Sequence, residues 1–345
     1  ELWPNGWCKQ RFPPQMKISV VIPVRNEERS IGNLLQALFA QSLPPDEIVI
    51  TDGGSTDATA AIIQDYVNRG APVRLIRTTK ALPGRGRNLA AALAGNEWLA
   101  FTDAGIQPAP DWLQELAAPA QADQTVDVVY GSYEPRTNTF FKECAAVCYI
   151  SPPALVDGVS MRPRSIASAL MRRRVWEAVG GFPEHLRSAE DLLFMNQVER
   201  AKFRVAFAPR AVVRWDLQPN FWRTFKRFAV YSRNNIRAGL WRDWQAAIFS
   251  RYLMLLLLTL LALVLGRSWL LVPLSLWLLL LLVRAGVALW RNRRCYPAGP
   301  LRNLLRLTFL LPLIAVLDLG AIAGSVQWLF TDKLRRRSKG VGVNS

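Results

Sequence analysis

Three long apolar stretches in the second half of this 345-residue chain restrict its fold more than any other feature. Tyr252–Gly266 and Trp269–Val283 are dominated by Leu, Val and Trp, and Leu307–Phe330 holds a single ionisable residue, Asp318. With their flanks, Ala246–Gly266 and Trp269–Trp290 reach the roughly 20 residues that a bilayer-crossing helix needs. Helices buried in a soluble core are the weaker reading, because an unbroken Leu run has no polar face to turn to water. Gly266-Arg267-Ser268 reads as a tight turn between two spans, and 307–330 as a third hydrophobic segment whose path stays open.

Charge is divided as unevenly as hydropathy. The net charge of +17 is made of −2 over residues 1–201 and +19 over 202–345. A basic excess can serve nucleic acid, an anionic substrate or a membrane surface. Adjoining membrane-length runs select the membrane, and no nucleic-acid partner is expected. Phe221–Trp244 interleaves Trp222, Phe225, Phe228, Tyr231, Trp241 and Trp244 with Arg223, Lys226, Arg227, Arg233, Arg237 and Arg242, the pattern of helices lying in the headgroup layer. Arg291, Arg293, Arg294 and Arg302 mark the loop after the second span as cytoplasmic. The tail Lys333, Arg335, Arg336, Arg337, Lys339 is basic too, so one crossing between two basic flanks would break the rule.

The first half alternates β-rich apolar runs with helical patterns, which predicts an α/β domain with a mainly parallel sheet. Strands are expected at Ile18–Val24, Glu47–Thr51, Val73–Arg77, Trp98–Thr102 and Val126–Gly131, and helices near 30–40, through Val67, and near 86–94. Ligands collect beyond the carboxyl ends of such strands. Asn26-Glu27, Asp52 and Asp103 each follow one of those ends, so three acidic sites are expected on one rim. Helix capping is the competing reading; it suits Asp57 and Asp111 better than Asp103.

Ile22-Pro23-Val24-Arg25-Asn26-Glu27, Asp52-Gly53-Gly54-Ser55-Thr56-Asp57, Gly86-Arg87-Asn88, Phe101-Thr102-Asp103-Ala104-Gly105 and Gly180-Gly181-Phe182-Pro183-Glu184 with Glu190-Asp191 occur in this order. Together they resemble the ordered motifs of family 2 glycosyltransferases with the GT-A, Rossmann-like fold, over about 17–210. The resemblance implies transfer of a sugar from a UDP- or GDP-sugar with inversion at the anomeric carbon. It implies donor binding by Pro23, Glu27 and Asp52, which suits a carboxylate accepting from the N–H edge of a base. It gives the diphosphate to Arg87, expected at a helix start and preferred over Lys80 and Arg85.

By the same resemblance, Asp103 is the first acid of a D-x-D signature that holds Mg²⁺ or Mn²⁺ against the diphosphate. The third position is Gly105, which departs from that pattern; one carboxylate with phosphate and water ligands can still suffice. Asp191 matches the catalytic base and Glu190 a supporting carboxylate. The Q-x-x-R-W motif of many relatives has no match, since Gln218-Pro219-Asn220-Phe221-Trp222 stands where it would be sought.

Cys8 and Cys295 are isolated, and Cys144 and Cys148, one helical turn apart, complete no metal site. That favours a reducing cytoplasmic location for the soluble part. His185 receives no role, Arg172-Arg173-Arg174 is expected to face solvent or lipid phosphate, and Arg162 and Arg164 are minor candidates for holding an anion. The expected organisation is an N-terminal extension (1–16), a catalytic domain (17–215), amphipathic interfacial helices (216–248), a transmembrane region (249–330) and a basic tail (331–345). The expected activity is transfer to a membrane-embedded lipid hydroxyl or polyprenyl phosphate at the plasma membrane, from the cytoplasmic side. A processive polysaccharide synthase and a non-catalytic membrane scaffold are the rivals.

Overall fold

The computed structural model describes residues 16–334 except Asp157; Trp3, Trp7, Cys8 and the basic residues 335–339 lie outside the described residues. The chain opens with β1 (Ile18–Val24), α1 (Ile31–Phe39), β2 (Glu47–Asp52), α2 (Thr59–Asn68), β3 (Val73–Arg77), α3 (Pro83–Leu93) and β4 (Trp98–Phe101). Next come β5 (Ile106–Pro108), α4 (Trp112–Ala122), β6 (Val128–Arg136), α5 (Phe140–Tyr149), β7 (Ala154–Val156) and β8 (Val159–Met161). The domain closes with β9 (Ala169–Arg172), α6 (Arg173–Ala178), α7 (Glu190–Arg200) and β10 (Val205–Asp216). Helices α8 (Phe221–Arg237), α9 (Trp241–Trp244), α10 (Ala246–Leu265), α11 (Leu271–Asn292) and α12 (Pro300–Trp328) follow.

Eight strands form one sheet in the order β3-β2-β1-β4-β9-β6-β10-β5. Strands β3, β2, β1 and β4 run parallel, as do β6 and β10, while β9 is antiparallel to both its neighbours and β5 to β10. Side chains alternate along a strand, and both faces of β1 are apolar. Ile18, Val20, Ile22 and Val24 join one core with α1 and α4, whereas Val21 joins the opposite core with α3 and α7. Burial on both faces is why the parallel strands read as continuous apolar runs.

The sheet is thus the mainly parallel one expected, with three additions. Strand β9, in the middle of the sheet, the three-residue β5 and the long β10 were not anticipated, and the strand expected at 126–131 runs from Val128 to Arg136. Helix α3 begins three residues earlier than expected, with Pro83 in its first turn, where a missing N–H costs nothing. Of the two capping aspartates, Asp57 accepts from the Thr59 N–H (3.1 Å) and its hydroxyl, but Asp111 makes no side-chain cap. The arginine run, expected to face solvent or lipid phosphate, is largely tied down, and of the three only Arg174 stays exposed. Arg172 pairs with Glu97, Arg174 with Asp127, and Arg173 caps carbonyls at the end of α3, including Ala91 O at 2.9 Å.

Among the described residues three helices are long and apolar enough to cross a membrane: Ala246–Leu265, 267–292 and 300–333. Gly266, at φ 122°, and a 3-10 turn over Arg267–Leu270 join α10 to α11 as a hairpin. Asp318 of α12 is buried and takes both guanidinium ends of Arg284 and, at 3.3 Å, the Tyr252 hydroxyl. Cys144 and Val147 of α5, Leu281 and Ala285 of α11, and Leu310 and Leu313 of α12 share one core, which fastens the helical half to the sheet domain.

Candidate active site

The carboxyl ends of β1, β2 and β4 open onto one rim. The loops after β1 and β2 are stitched together: Asn26 donates its N–H to Ser55 Oγ (2.9 Å) and accepts from the Thr56 N–H (2.8 Å), while Glu27 donates to Thr59 Oγ1 (2.7 Å). Asn26 holds φ 56°, a left-handed conformation that Asn tolerates. Asp52, the last residue of β2, is buried, and its Oδ1 accepts from the Ser55 N–H and hydroxyl at 2.9 and 2.6 Å. The expected gathering of Glu27, Asp52 and Asp103 on one rim follows from the register of the parallel strands, which levels Val24 with Asp52 and Val21 with Phe101.

Two glycines bring α3 into this rim. A Cβ on Gly86 would lie 2.9 Å from Pro23 Cβ, and one on Gly84 would collide with the Pro183 carbonyl. The close approach carries Arg87 inward until only 4% of its side chain is exposed. There it donates to Asp103 Oδ1 at 2.6 Å and to Glu190 Oε1 at 2.8 Å, with Phe182 beneath the guanidinium at 5.4 Å. Burial alone would lower the guanidinium pKa, but Asp103, Glu190 and Asp191 outweigh it and hold Arg87 charged.

This geometry corrects the expectation for Arg87. It stands in the second turn of α3 rather than at its start, so it offers no free helix-terminal amide, and its charge is engaged by two carboxylates. The exposed cations near the first turn of α3 are Lys80 and Arg85; among the described residues neither makes an ion pair.

Glu190 opens α7, preceded by Ala189 at φ 70°. A non-glycine residue in that region carries strain of order 1–3 kcal/mol. The strained turn sets Glu190 inside, on Arg87, and leaves its Oε2 buried without a hydrogen-bond partner. Asp191 beside it is half-buried; loss of water and then the Glu190 charge push its carboxyl up to about 6, against the pull of Arg87. A carboxyl raised in this direction takes up a proton more readily than a free one, which suits a general base.

Asn88 was quoted within a motif but given no function by the sequence. Its amide donates to the Phe182 carbonyl (2.9 Å) and Glu184 (3.0 Å) and accepts from the Phe182 N–H (2.8 Å) and the Trp176 indole (3.1 Å). It thereby pins the 180–184 loop, and Glu190 beyond it, to α3. Phe182 stacks on Phe194 at 3.9 Å between centroids. The quoted motifs Gly86-Arg87-Asn88 and Gly180-Gly181-Phe182-Pro183 were the available signal.

Gly105, at φ 80°, has the Glu27 carboxylate against it: a Cβ there would lie 3.4 Å from Glu27 Oε2. A carboxylate thus stands beside the position the D-x-D pattern leaves vacant. His185 is exposed. Arg162 is buried on the Ser151 carbonyl and Arg164 pairs with Glu199 at 2.8 Å. The cavity of about 450 Å³ that these two line lies at the far end of α7 from Glu190 and Asp191.

Residues 19–180 match the family described as Glycosyl transferase family 2. The O-antigen chain rhamnosyltransferase RfbN of Salmonella typhimurium is 28% identical over 210 residues, which cover 58% of this chain and 66% of that protein. Glycosyltransferase AglE of Haloferax volcanii is 30% identical, covering 55% of this chain and 64% of its own length. The poly(ribitol-phosphate) beta-N-acetylglucosaminyltransferase TarS of Staphylococcus aureus is 31% identical, covering 52% and 32%. The chain therefore spans less than two thirds of each of these relatives. Among solved structures, the mannosyltransferase PcManGT from Pyrobaculum calidifontis, in complex with GDP-Man and Mn²⁺, superposes with a TM-score of 0.53 at 20% identity, over 92% of this chain and 88% of that one. That likeness is one of fold.

Proposed function

Because residues 19–180 make this chain a member of glycosyl transferase family 2, we propose that it transfers a sugar from a UDP- or GDP-sugar to an acceptor held in a membrane, with inversion at the anomeric carbon. The observation that carries the reading is the cluster itself: Arg87 ties Asp103 on the strand rim to Glu190, next to an Asp191 poised near neutrality.

In this reading Asp52, Glu27 and the Pro23 backbone take the nucleoside. Lys80 and Arg85 face the diphosphate, and Arg87 fixes Asp103 and Glu190 in place. The acceptor oxygen attacks the anomeric carbon, the bond from that carbon to the diphosphate oxygen breaks, and Asp191 receives the acceptor's proton. An acceptor that is already a phosphate anion has no such proton to lose.

The residues fit a Mg²⁺ or Mn²⁺ ion. Asp103 gives only Oδ1 to Arg87 and is partly exposed, so its other carboxylate oxygen is open to such an ion. Hard divalent cations take one or two carboxylates together with phosphate oxygens and water; such an ion would offset charge on the departing diphosphate. Membrane-length helices adjoining the domain support a membrane-borne acceptor, since a soluble acceptor needs no anchor. The +19 half supports a site on the cytoplasmic face.

The test is binding and turnover over a panel of UDP- and GDP-sugars in detergent or lipid, with and without Mn²⁺, and NMR assignment of the product anomer. Binding of one nucleotide class followed by inverted product is expected. Failure of every nucleotide to bind would remove the reading in favour of a non-catalytic scaffold, and a retained anomer would remove inversion.

A further inference from the structure

Length and hydropathy make α12 a membrane crossing, but its contacts do not. Over its most apolar window 44% of the residues are buried, against 6% and 17% for the other two membrane-length helices. At its start, Arg302 and Arg306 both bind Glu143 of α5, on the sheet domain. At its far end, Asp332 takes Arg233 (3.1 Å) and Arg237 (2.6 Å) of α8. Between those two arginines, Asn234 accepts the backbone N–H of Arg187 at 3.2 Å, three residues before Glu190. A helix of about 43 Å (1.5 Å per residue) is therefore fastened to the catalytic domain directly at one end and through α8 at the other.

Its length is fastened as well. Phe309 packs on Phe221 and Phe140, and Ser232 donates to the Ala321 carbonyl at 2.7 Å. A Cβ on Gly320 would lie 2.9 Å from the Phe225 carbonyl, and one on Gly324 would overlap the Ala229 carbonyl. The two helices thus run side by side in the same direction, with backbones in contact. Arg223, Lys226, Arg227, Arg233 and Arg237 are spread from one end of α8 to the other. At the centre of a bilayer each would cost about 2.5–3.5 kcal/mol, so α8 belongs at the headgroup level and holds α12 there. The opposite side of α12 exposes Leu301, Leu304, Leu305, Leu319 and Val326, a stripe at helical spacing.

We infer that α12 does not cross the bilayer: it lies along the surface beside α8, with this stripe in the acyl layer of the leaflet nearest the catalytic domain. Both of its ends then lie on the catalytic side. The basic residues before it (Arg291, Arg293, Arg294) and after it (Lys333, Arg335–Arg337) share one side, and the conflict between two basic flanks disappears. The hairpin of α10 and α11 is the part left to enter the hydrocarbon.

Sidedness tests this on the full chain, independently of any enzymatic activity. Arg69→Cys on the sheet domain, Ser268→Cys at the hairpin turn and Ser338→Cys after α12 are exposed to a membrane-impermeant maleimide in sealed vesicles of defined orientation, and labelled peptides are located by mass spectrometry. Ser338→Cys should react from the same side as Arg69→Cys; reaction only from the opposite side overturns the inference. One reporter fused ahead of Glu1 and, separately, after Ser345 gives a second readout free of substitutions. Equal sidedness is expected, and opposite sidedness overturns it.

Discussion

In the sheet domain Val20, Val21, Ile22, Ile48 and Ile50 are fully buried, whereas in the helical half Leu257, Leu261, Leu263 and Val264 are more than half exposed. That half buries Leu281, Ala285, Leu310 and Leu313 where its helices meet, and beside them it takes in polar and charged residues, Thr224, Asn234, Gln245, Arg306 and Asp318. One chain has sorted its residues in two directions, which is the response expected when water surrounds one part and lipid the other. Buried charge has a different use in each. Arg87 organises carboxylates around the proposed reaction centre, while Arg306 on Glu143 and Arg284 on Asp318 join helices to each other and to the domain.

The sharpest way to break this contrast is at the reaction centre. Asp191→Asn should lower transfer to a hydroxyl acceptor by about 10²–10⁴-fold while leaving thermal unfolding in detergent unchanged. A variant with most of its turnover would remove Asp191 as base. Arg87→Met leaves Glu190 buried without its cation and should cost about 3–5 kcal/mol, read as a lowered unfolding midpoint together with lost activity. Unchanged stability would show that the clamp holds nothing.

A matched pair then measures the sorting directly. Ile22→Ala should destabilise by about 2–5 kcal/mol, and Leu261→Ala by no more than about 0.5 kcal/mol in detergent; equal effects would mean that the hairpin is packed like a core. The smallest effect is a pH shift. Asp191 loses its base function as the pH falls through about 6, because its raised pKa leaves it protonated there. Glu190→Gln removes one cause of that rise, so the acid limb of the residual kcat/KM should move to lower pH. A limb that stays in place would assign it to another group.

The parallel part of the fold was readable because strands buried on both faces leave unbroken apolar runs: β1 and β3 fall where Ile18–Val24 and Val73–Arg77 predict them. Strand β9 was not readable, since Ala169–Arg172 is short and ends in an arginine run whose partners, Glu97 and Asp127, are distant in sequence. The rim acids were legible from strand ends alone. The inward turn of Arg87 was not, because it depends on Gly84 meeting Pro183 and on Glu190, 103 residues away. The lateral course of α12 was hidden for a different reason: hydropathy counts apolar residues without distinguishing a neighbouring helix from lipid.

Strand β5 sets an order of manufacture. Its Ile106 pairs with Trp215 near the end of β10, 109 residues later, and β10 is its sole neighbour in the sheet. A nascent chain cannot finish the sheet until the ribosome has passed Trp215, and α8 begins only at Phe221. Domains fold as units in the order they are made, so the sheet closes just as the first membrane-seeking segment emerges. The sheet domain is thus completed as the helical half begins to emerge rather than well ahead of it, and an insertion between Asp216 and Phe221 would loosen the timing of those two events without touching a single residue of the site.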